Sequence, residues 1–223
     1  SLGVKRLYTE KIDTYVSFNS VFRTPAALEA YFRQSDLLRP NLRVLDAGCG
    51  TGTATFALLH TLRRRDLSYR CMHAFDLTPA MLDRFRQRLN RCDSSGVDLR
   101  EHDVLKLDRL PSSWTNYDLI VSVAMLEYIP KEKLVPTLTA MRARLVPDGR
   151  LLLIITRRNW ITKLLIEAWW KANRYRRAEV ADAVRSAGFD QIIFRKFPRS
   201  YFWQNQWAFV VEGRNGRSPS GSG

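Results

Sequence analysis

Asp46-Ala47-Gly48-Cys49-Gly50-Thr51-Gly52 lies between the apolar pair Val44-Leu45 and the stretch that begins at Thr53. A carboxylate followed by closely spaced glycines can bring bare backbone against a ligand while keeping a negative charge behind it, because residues without Cβ permit close approach and positive φ. A phosphate loop is excluded, since no Gly-Lys-Ser/Thr closes the segment. The dinucleotide pattern G-x-G-x-x-G is met imperfectly: counted from Gly48, its last position is Thr53. Charge separates the remaining ligands better than spacing does. A pyrophosphate wants backbone N–H groups with no carboxylate nearby, whereas Asp46 would repel it and engage a cation. The plainer alternative is that Asp46 caps the next helix and the glycines only turn the chain.

Two more carboxylates follow at matching places. Ala74-Phe75-Asp76-Leu77 ends the next apolar run, and a carboxylate there can accept hydrogen bonds from two ribose hydroxyls or cap the helix opening at Pro79. Glu101-His102-Asp103-Val104 ends the third run, where an acidic group can accept from an adenine amino group while Leu77 and Val104 sandwich the ring. S-adenosylmethionine has an ammonium, a sulfonium, an adenosine and no phosphate, and it suits such a site. Candidate proton acceptors are few. His60 and His73 fall in a helix and in mid-strand and read as structural, and His102 stands beside the adenine end. Glu127 and Tyr128, just beyond the fourth strand, are the catalytic candidates at the pocket mouth. Cys49, Cys71 and Cys92 are odd in number and lack metal-ligand spacing, so neither a disulfide framework nor a metal site is expected.

The elements that must carry these residues alternate short β-branched runs with amphipathic stretches, the pattern of βαβ units and a mostly parallel sheet. Strands are expected at 43–47, 70–75, 97–101, 117–123 and 150–155. Helices are expected at 53–65, 79–91 and about 131–145, the last stopped by Pro147-Asp148-Gly149. Another inserted helix is expected at about 159–173, followed by one at 177–187 stopped by Gly188. Two last strands, about 191–197 and 202–212, follow with no helix between them and are expected to pair antiparallel at the sheet edge. Residues 7–32 read as two helical pieces broken near Thr24-Pro25. The expected organisation is one domain over 1–212, with a helical cap at 1–37, a lid at 157–177 and a disordered Gly/Ser-rich tail at 213–223.

Val44 to Gly52, Asp76-Leu77-Thr78-Pro79-Ala80-Met81-Leu82 and Tyr117 to Pro130, in this order and spacing, resemble the class I S-adenosylmethionine-dependent methyltransferase family over roughly 42–212. The resemblance implies a Rossmann-like, doubly wound α/β fold with a seven-stranded sheet whose last strand is antiparallel. It implies that Asp46 and Gly48 to Gly50 face the methionine part of the cofactor, Asp76 the ribose and Asp103 the adenine. The cofactor-binding set is then Asp46, Gly48, Cys49, Gly50, Asp76, Leu77, Met81, Asp103, Val104 and Val123, with S-adenosylhomocysteine as product. The sequence departs from the family in one place. Members with a Leu-Glu-x-Ile-Pro segment often have histidine at x, where this chain has Tyr128, and a phenol is no base at neutral pH without a large pKa shift.

The expected reaction is in-line SN2 methyl transfer, accelerated mainly by positioning, to a small or lipid-like acceptor. Tyr15, Trp160 and Trp169 are the substrate candidates. With 36 Lys and Arg against 22 Asp and Glu, the net charge of +14 favours anionic or amphiphilic partners. Nucleic-acid methylation is the alternative, suggested by Arg63-Arg64-Arg65 and the arginines between Arg84 and Arg91. Against it, the Asp/Asn-Pro-Pro-aromatic segment associated with nucleobase amines is absent. A fold that kept the site but lost catalysis is a third class, opposed by the intact Asp46, glycines and Asp76. No run of about 18 apolar residues could span a bilayer, and no signal-peptide pattern opens the sequence. The expected location is cytoplasmic, with peripheral contact at a membrane surface open.

Overall fold

Strands buried on both faces read as continuous apolar runs, and the runs here become the centre of a seven-stranded sheet. The structure is a computed structural model and describes residues 24–92, 95–157, 173 and 175–216. Its elements are α1 (Thr24–Gln34), β1 (Leu42–Ala47), α2 (Thr53–Arg64), β2 (Tyr69–Asp76), α3 (Pro79–Leu89), β3 (Val97–Glu101), β4 (Tyr117–Val123), α4 (Leu134–Arg142), β5 (Leu145–Thr156), α5 (Arg177–Ser186), β6 (Asp190–Arg195), the four-residue α6 (Gln204–Trp207) and β7 (Ala208–Arg214). Strand order is β3-β2-β1-β4-β5-β7-β6. Only β7 runs against its neighbours, pairing antiparallel with both β5 and β6. This is the Rossmann-like mixed sheet expected from the sequence.

Alternate strand residues feed two cores. Val44, Met72, Leu119, Val121, Leu152 and Ile154 pack under α1 and α2, and Ala74 packs with Leu82 and Phe85 of α3 on that same side. Leu45, Phe75, Ile120, Leu151 and Leu153 pack under α4 and α5 on the other. Strand order reverses between β1 and β4. In open α/β sheets, ligands bind beyond the carboxyl ends of the strands at such a point.

Several boundaries differ from expectation for identifiable reasons. The helix expected at 131–145 is a 3-10 turn at Lys131–Lys133 followed by α4, because Leu145 is drawn into pairing with Tyr117. The last strand begins at Ala208 rather than Phe202, since residues 199–207 form a 3-10 turn and α6. The tail expected at 213–223 does not begin at 213. Strand β7 includes Gly213 and Arg214, and Asn215 exchanges backbone hydrogen bonds with Asp148 and Gly149 at 2.7 and 2.8 Å. Most of the N-terminal cap, most of the lid and the end of the tail lie outside the described residues, and so do the substrate candidates Tyr15, Trp160 and Trp169.

One buried ionic cluster fastens α1 to β7, the strand next to the sheet edge. Glu212 of β7 is 1% exposed and accepts from the Tyr31 hydroxyl of α1. It also accepts from the Arg150 guanidinium at 2.7 Å and lies 3.4 Å from Arg195. Burial and the neighbouring carboxylate push the Tyr31 phenol pKa upward, so it stays a donor. Tyr31→Phe should therefore lower the unfolding free energy by about 1–3 kcal/mol, read as a lower urea midpoint with an unchanged slope. An unchanged midpoint would show that α1 is held by apolar packing alone.

Candidate active site

The glycine turn is held open at the end of β1 by backbone and carboxylate together. Gly48, Gly50 and Gly52 have φ of 76°, 54° and 85°, the left-handed region that favours glycine. At Gly48 a side chain is also excluded by contact, because an added Cβ would stand 2.2 Å from Met125 Cγ. The Phe75 carbonyl accepts both the Gly48 and Cys49 N–H groups at 2.9 Å. Asp76 completes the brace: Oδ2 accepts the Gly50 N–H at 2.9 Å and Oδ1 the Thr78 N–H at 2.8 Å. One carboxylate thus joins the loop after β1 to the turn after β2. Burial pushes its pKa above the ordinary carboxylate value, against the pull of these N–H donors.

Beyond the loop lies a cleft with about 800 Å³ of open space. Gly48, Gly50, Asp76 and Thr78 form one side, and His102 and Asp103 continue it beyond β3. Leu77, Met81, Val104 and Leu105 give apolar surface there, and Val123 to Met125 with Tyr128 to Pro130 form the opposing wall. Among the described residues, two carboxylates and no lysine or arginine line it. That charge disfavours a phosphate-bearing ligand and suits a neutral or cationic one. The Leu77 N–H and the Thr78 side chain also face Asp76, whose two oxygens have about four acceptor positions between them. Asp103 uses Oδ1 to accept the Leu105 N–H at 3.0 Å. A ribose and an adenine fit these acceptors with Leu77 and Val104 beside them.

Two expected cofactor residues are not on the wall. Asp46 is 1% exposed behind the glycine turn, where Oδ2 accepts the Thr55 N–H at 3.1 Å and the Thr55 hydroxyl at 2.7 Å. It therefore caps α2 from outside the helix, where Gly52 gives no side-chain cap. Its other oxygen has no hydrogen-bond partner, and burial raises its pKa to about 7, with Asp76 adding repulsion. The Cys49 side chain packs with Ala74, Leu82 and Phe85 in the core, and burial pushes its thiol pKa up. The alternation of side chains after the strand turns it away from the cleft.

The catalytic candidates separate as well. Tyr128 lines the cleft, but Glu127 does not. The 3-10 turn Leu126–Tyr128 points Glu127 toward β5, where Oε1 accepts the Thr156 hydroxyl at 2.5 Å. Oε2 is buried without a partner, and burial raises the carboxyl pKa to about 7. Asn173 clamps the same turn, its N–H donating to the Glu127 carbonyl and its amide to the Ile129 carbonyl, both at 2.7 Å. His60 pairs with Glu29 at 2.8 Å, and His73 bonds the Tyr117 hydroxyl at 2.7 Å while stacked on Trp114, so both are structural. His102 lines the cleft with Nε2 2.8 Å from the Lys106 carbonyl.

The sequence reading missed the walls contributed by Phe75, Thr78 and Ala124. Ala124 has φ 52°, uncommon for a residue with Cβ, and its N–H is tied to the Ile154 carbonyl at 2.8 Å. A left-handed alanine just past a strand gives no composition signal.

Comparisons with known proteins agree with this geometry. A family model described as a methyltransferase domain matches residues 44–149. A carboxy-S-adenosyl-L-methionine synthase of Stutzerimonas stutzeri is 30% identical over 187 residues, covering 80% of this chain and 72% of that one. The highly reducing polyketide synthase valA of Aspergillus terreus is 28% identical over 162 residues, 66% of this chain but only 6% of its own length. The S-adenosylmethionine-dependent methyltransferase SibL, in its apo form, has the same fold with a TM-score of 0.69 at 19% identity. That match covers 91% of this chain and 57% of SibL.

The buried Glu127 carboxyl yields a prediction. Its pKa is raised in the folded state, so between about 4.5 and 7 the native protein keeps a proton that the unfolded chain has lost. Stability must then fall as pH rises through that window, by on the order of 1 kcal/mol per unit from this group. Glu127→Gln keeps an acceptor for Thr156 and removes the ionisation. Urea titrations at pH 5, 6, 7 and 8 (about one unit apart, wide enough to resolve that slope) should show a shallower fall for the variant than for the parent. Parallel curves would mean that Glu127 ionises freely.

Proposed function

The chain belongs to the class I S-adenosylmethionine-dependent methyltransferases, and from that premise we propose that it methylates a small, apolar or amphiphilic acceptor held against the wall formed by Met125, Tyr128, Ile129 and Pro130. When bound, S-adenosylmethionine supplies an electrophilic methyl group on a positively charged sulfur. The observation that carries the reading is a cleft at the sheet's switch point with Asp76 and Asp103 on one side, apolar side chains on the other, and no basic residue on either among the described residues.

The residues divide the work. Asp76 binds the sugar and keeps the glycine loop in place. Asp103 and Val104 fix the base, with Leu77 opposite. Asp46 acts through the loop, its buried charge favouring a cationic group on the far side of Gly48 and Gly50. No carboxylate or histidine stands on the acceptor wall in contact with the cleft between Val123 and Pro130. The chain's contribution there is alignment and exclusion of water, which can supply much of the acceleration. Tyr128 orients the acceptor through its ring and hydroxyl. Glu127 supports the wall from behind through Thr156. The relative named as a polyketide synthase supports an acceptor with substantial carbon-chain character.

The location of the basic runs weighs against nucleic acid as the acceptor. Helix α2 starts at the cleft and runs about 18 Å away from it over its 12 residues. Arg63, Arg64 and Arg65 therefore sit at the opposite end of the sheet. Arg88 is turned inward, with its guanidinium on the Thr51 carbonyl at 2.8 Å and over the Phe56 ring.

Millimolar S-adenosylmethionine should raise the melting temperature of the chain, since a ligand bound only by the native state stabilises it. Asp76→Ala should weaken its binding about 5- to 150-fold in calorimetry, the equivalent of about 1–3 kcal/mol. S-adenosylhomocysteine release with apolar carboxylic or phenolic acceptors then reads the transfer itself. No thermal shift, or an unchanged affinity in Asp76→Ala, would overturn the assignment of this cleft.

A further inference from the structure

The reversal of β7 determines what else stands at the cleft end of the sheet. Ala208, the first residue of β7, pairs with Thr156, the last of β5. The connection from β6 to β7, residues 196–207, therefore projects from the same end as the ends of β1, β2 and β4. It is fastened beside the point where the chain leaves β5. The Arg157 N–H donates to the Trp207 carbonyl at 2.8 Å and its guanidinium to the Asn205 carbonyl at 2.5 Å.

The chemistry of this connection is lopsided. From Gln191 to Val211 there is no aspartate or glutamate, while Phe194, Phe197, Tyr201, Phe202, Trp203, Trp207 and Phe209 are aromatic. Part of that set is structural: Phe197 is buried and its backbone is clamped by the Asn205 side chain. Phe202 is not. It lies just after the 3-10 turn Arg199–Tyr201, 64% exposed, with its ring edge on Trp203. It is the most exposed large apolar side chain among the described residues. Leu105, 40% exposed, is at the cleft end too. Two exposed cations, Lys196 and Arg199, lie in the connection itself; Arg195 before it is engaged with Glu212, and Arg177 of α5 lies over the Phe194 ring.

An apolar tip without hydrogen-bonding capacity, flanked by Lys196 and Arg199 in a connection that has no acidic residue, matches an interface whose surface is anionic and whose interior is hydrocarbon. We propose that the β6–β7 connection docks the protein on an anionic lipid bilayer, with Phe202 entering the acyl region and Lys196 and Arg199 at the headgroups. Such docking turns the cleft end of the sheet toward the membrane. Single-stranded nucleic acid needs aromatic faces and polar groups to track bases and backbone, and a phenylalanine edge packed on a neighbouring ring serves it poorly. Docking does not depend on methyl transfer.

Cosedimentation of the full chain with vesicles tests this directly. The chain should bind vesicles containing about one quarter phosphatidylglycerol in phosphatidylcholine, a composition with an anionic surface. It should leave pure phosphatidylcholine in the supernatant and lose affinity as salt is raised. Phe202→Ser and the pair Lys196→Gln with Arg199→Gln should each weaken binding by about tenfold or more. Their melting temperatures should be unchanged, since all three side chains are exposed. Equal binding to neutral vesicles, no binding at all, or variants that bind like the parent would overturn the proposal. So would a fluorescent single-stranded RNA that binds the chain and displaces it from the vesicles.

Discussion

The carboxylate of Asp76 accepts one N–H from the loop after β1 and one from the turn after β2. It works with the Phe75 carbonyl, which accepts the Gly48 and Cys49 N–H groups, and with the Gly52 N–H bond to the Cys49 carbonyl at 2.8 Å, to define the path of three residues in left-handed conformation. Everything on that side of the cleft is referenced to this pair of bonds. The loop position determines where Gly48 meets Met125, and that contact determines the separation of the two walls. The sugar-binding role proposed for Asp76 is compatible with its place as the strut of the site, because an ionised carboxylate has about four acceptor positions.

Buried carboxylates elsewhere show what the strut costs. Glu212, far from the cleft, is compensated by a tyrosine and two arginines and leaves no acceptor stranded. Asp46 and Glu127, at the ends of β1 and just past β4, are each met by a threonine on one oxygen and by nothing on the other. Burial drives both toward a pKa of about 7. Native structures leave few buried polar atoms unpaired. The half-satisfied ones in this sheet gather behind the two walls of the cleft, where a rigid, desolvated surround is useful for aligning a reaction. The fully satisfied one holds α1 to β7.

Much of this is legible in the sequence. The strands could be placed because apolar residues recur with strand length and turn signals, and Asp46, Asp76 and Asp103 stood out because each ends such a run. What the sequence could not supply was direction. Cys49 lies between two cleft glycines and yet faces the core, since successive residues leave a strand end on opposite sides. Glu127 and Tyr128 are adjacent, and a 3-10 turn sends one behind the wall and the other onto it. Aromatic and β-branched residues dominate 202–212 and predict one strand there. Its first half instead turns back on itself, through bonds such as Asn205 to the Phe197 backbone that no local pattern announces.

The edge of the sheet explains why the aromatic connection and the cleft share an end. A parallel βαβ crossover carries the chain back across a face of the sheet before the next strand begins. Strands β6 and β7 are antiparallel, so their connection needs no crossover and stays where β6 finishes. Inserting β7 between β5 and β6 then places that connection against Arg157, where the chain leaves the central sheet. Asn173 is tied to the wall at Glu127 and Ile129, as Arg157 is tied to the aromatic connection at Asn205 and Trp207. A single antiparallel strand thus puts the exposed, basic, aromatic surface and the cleft on one end of the sheet.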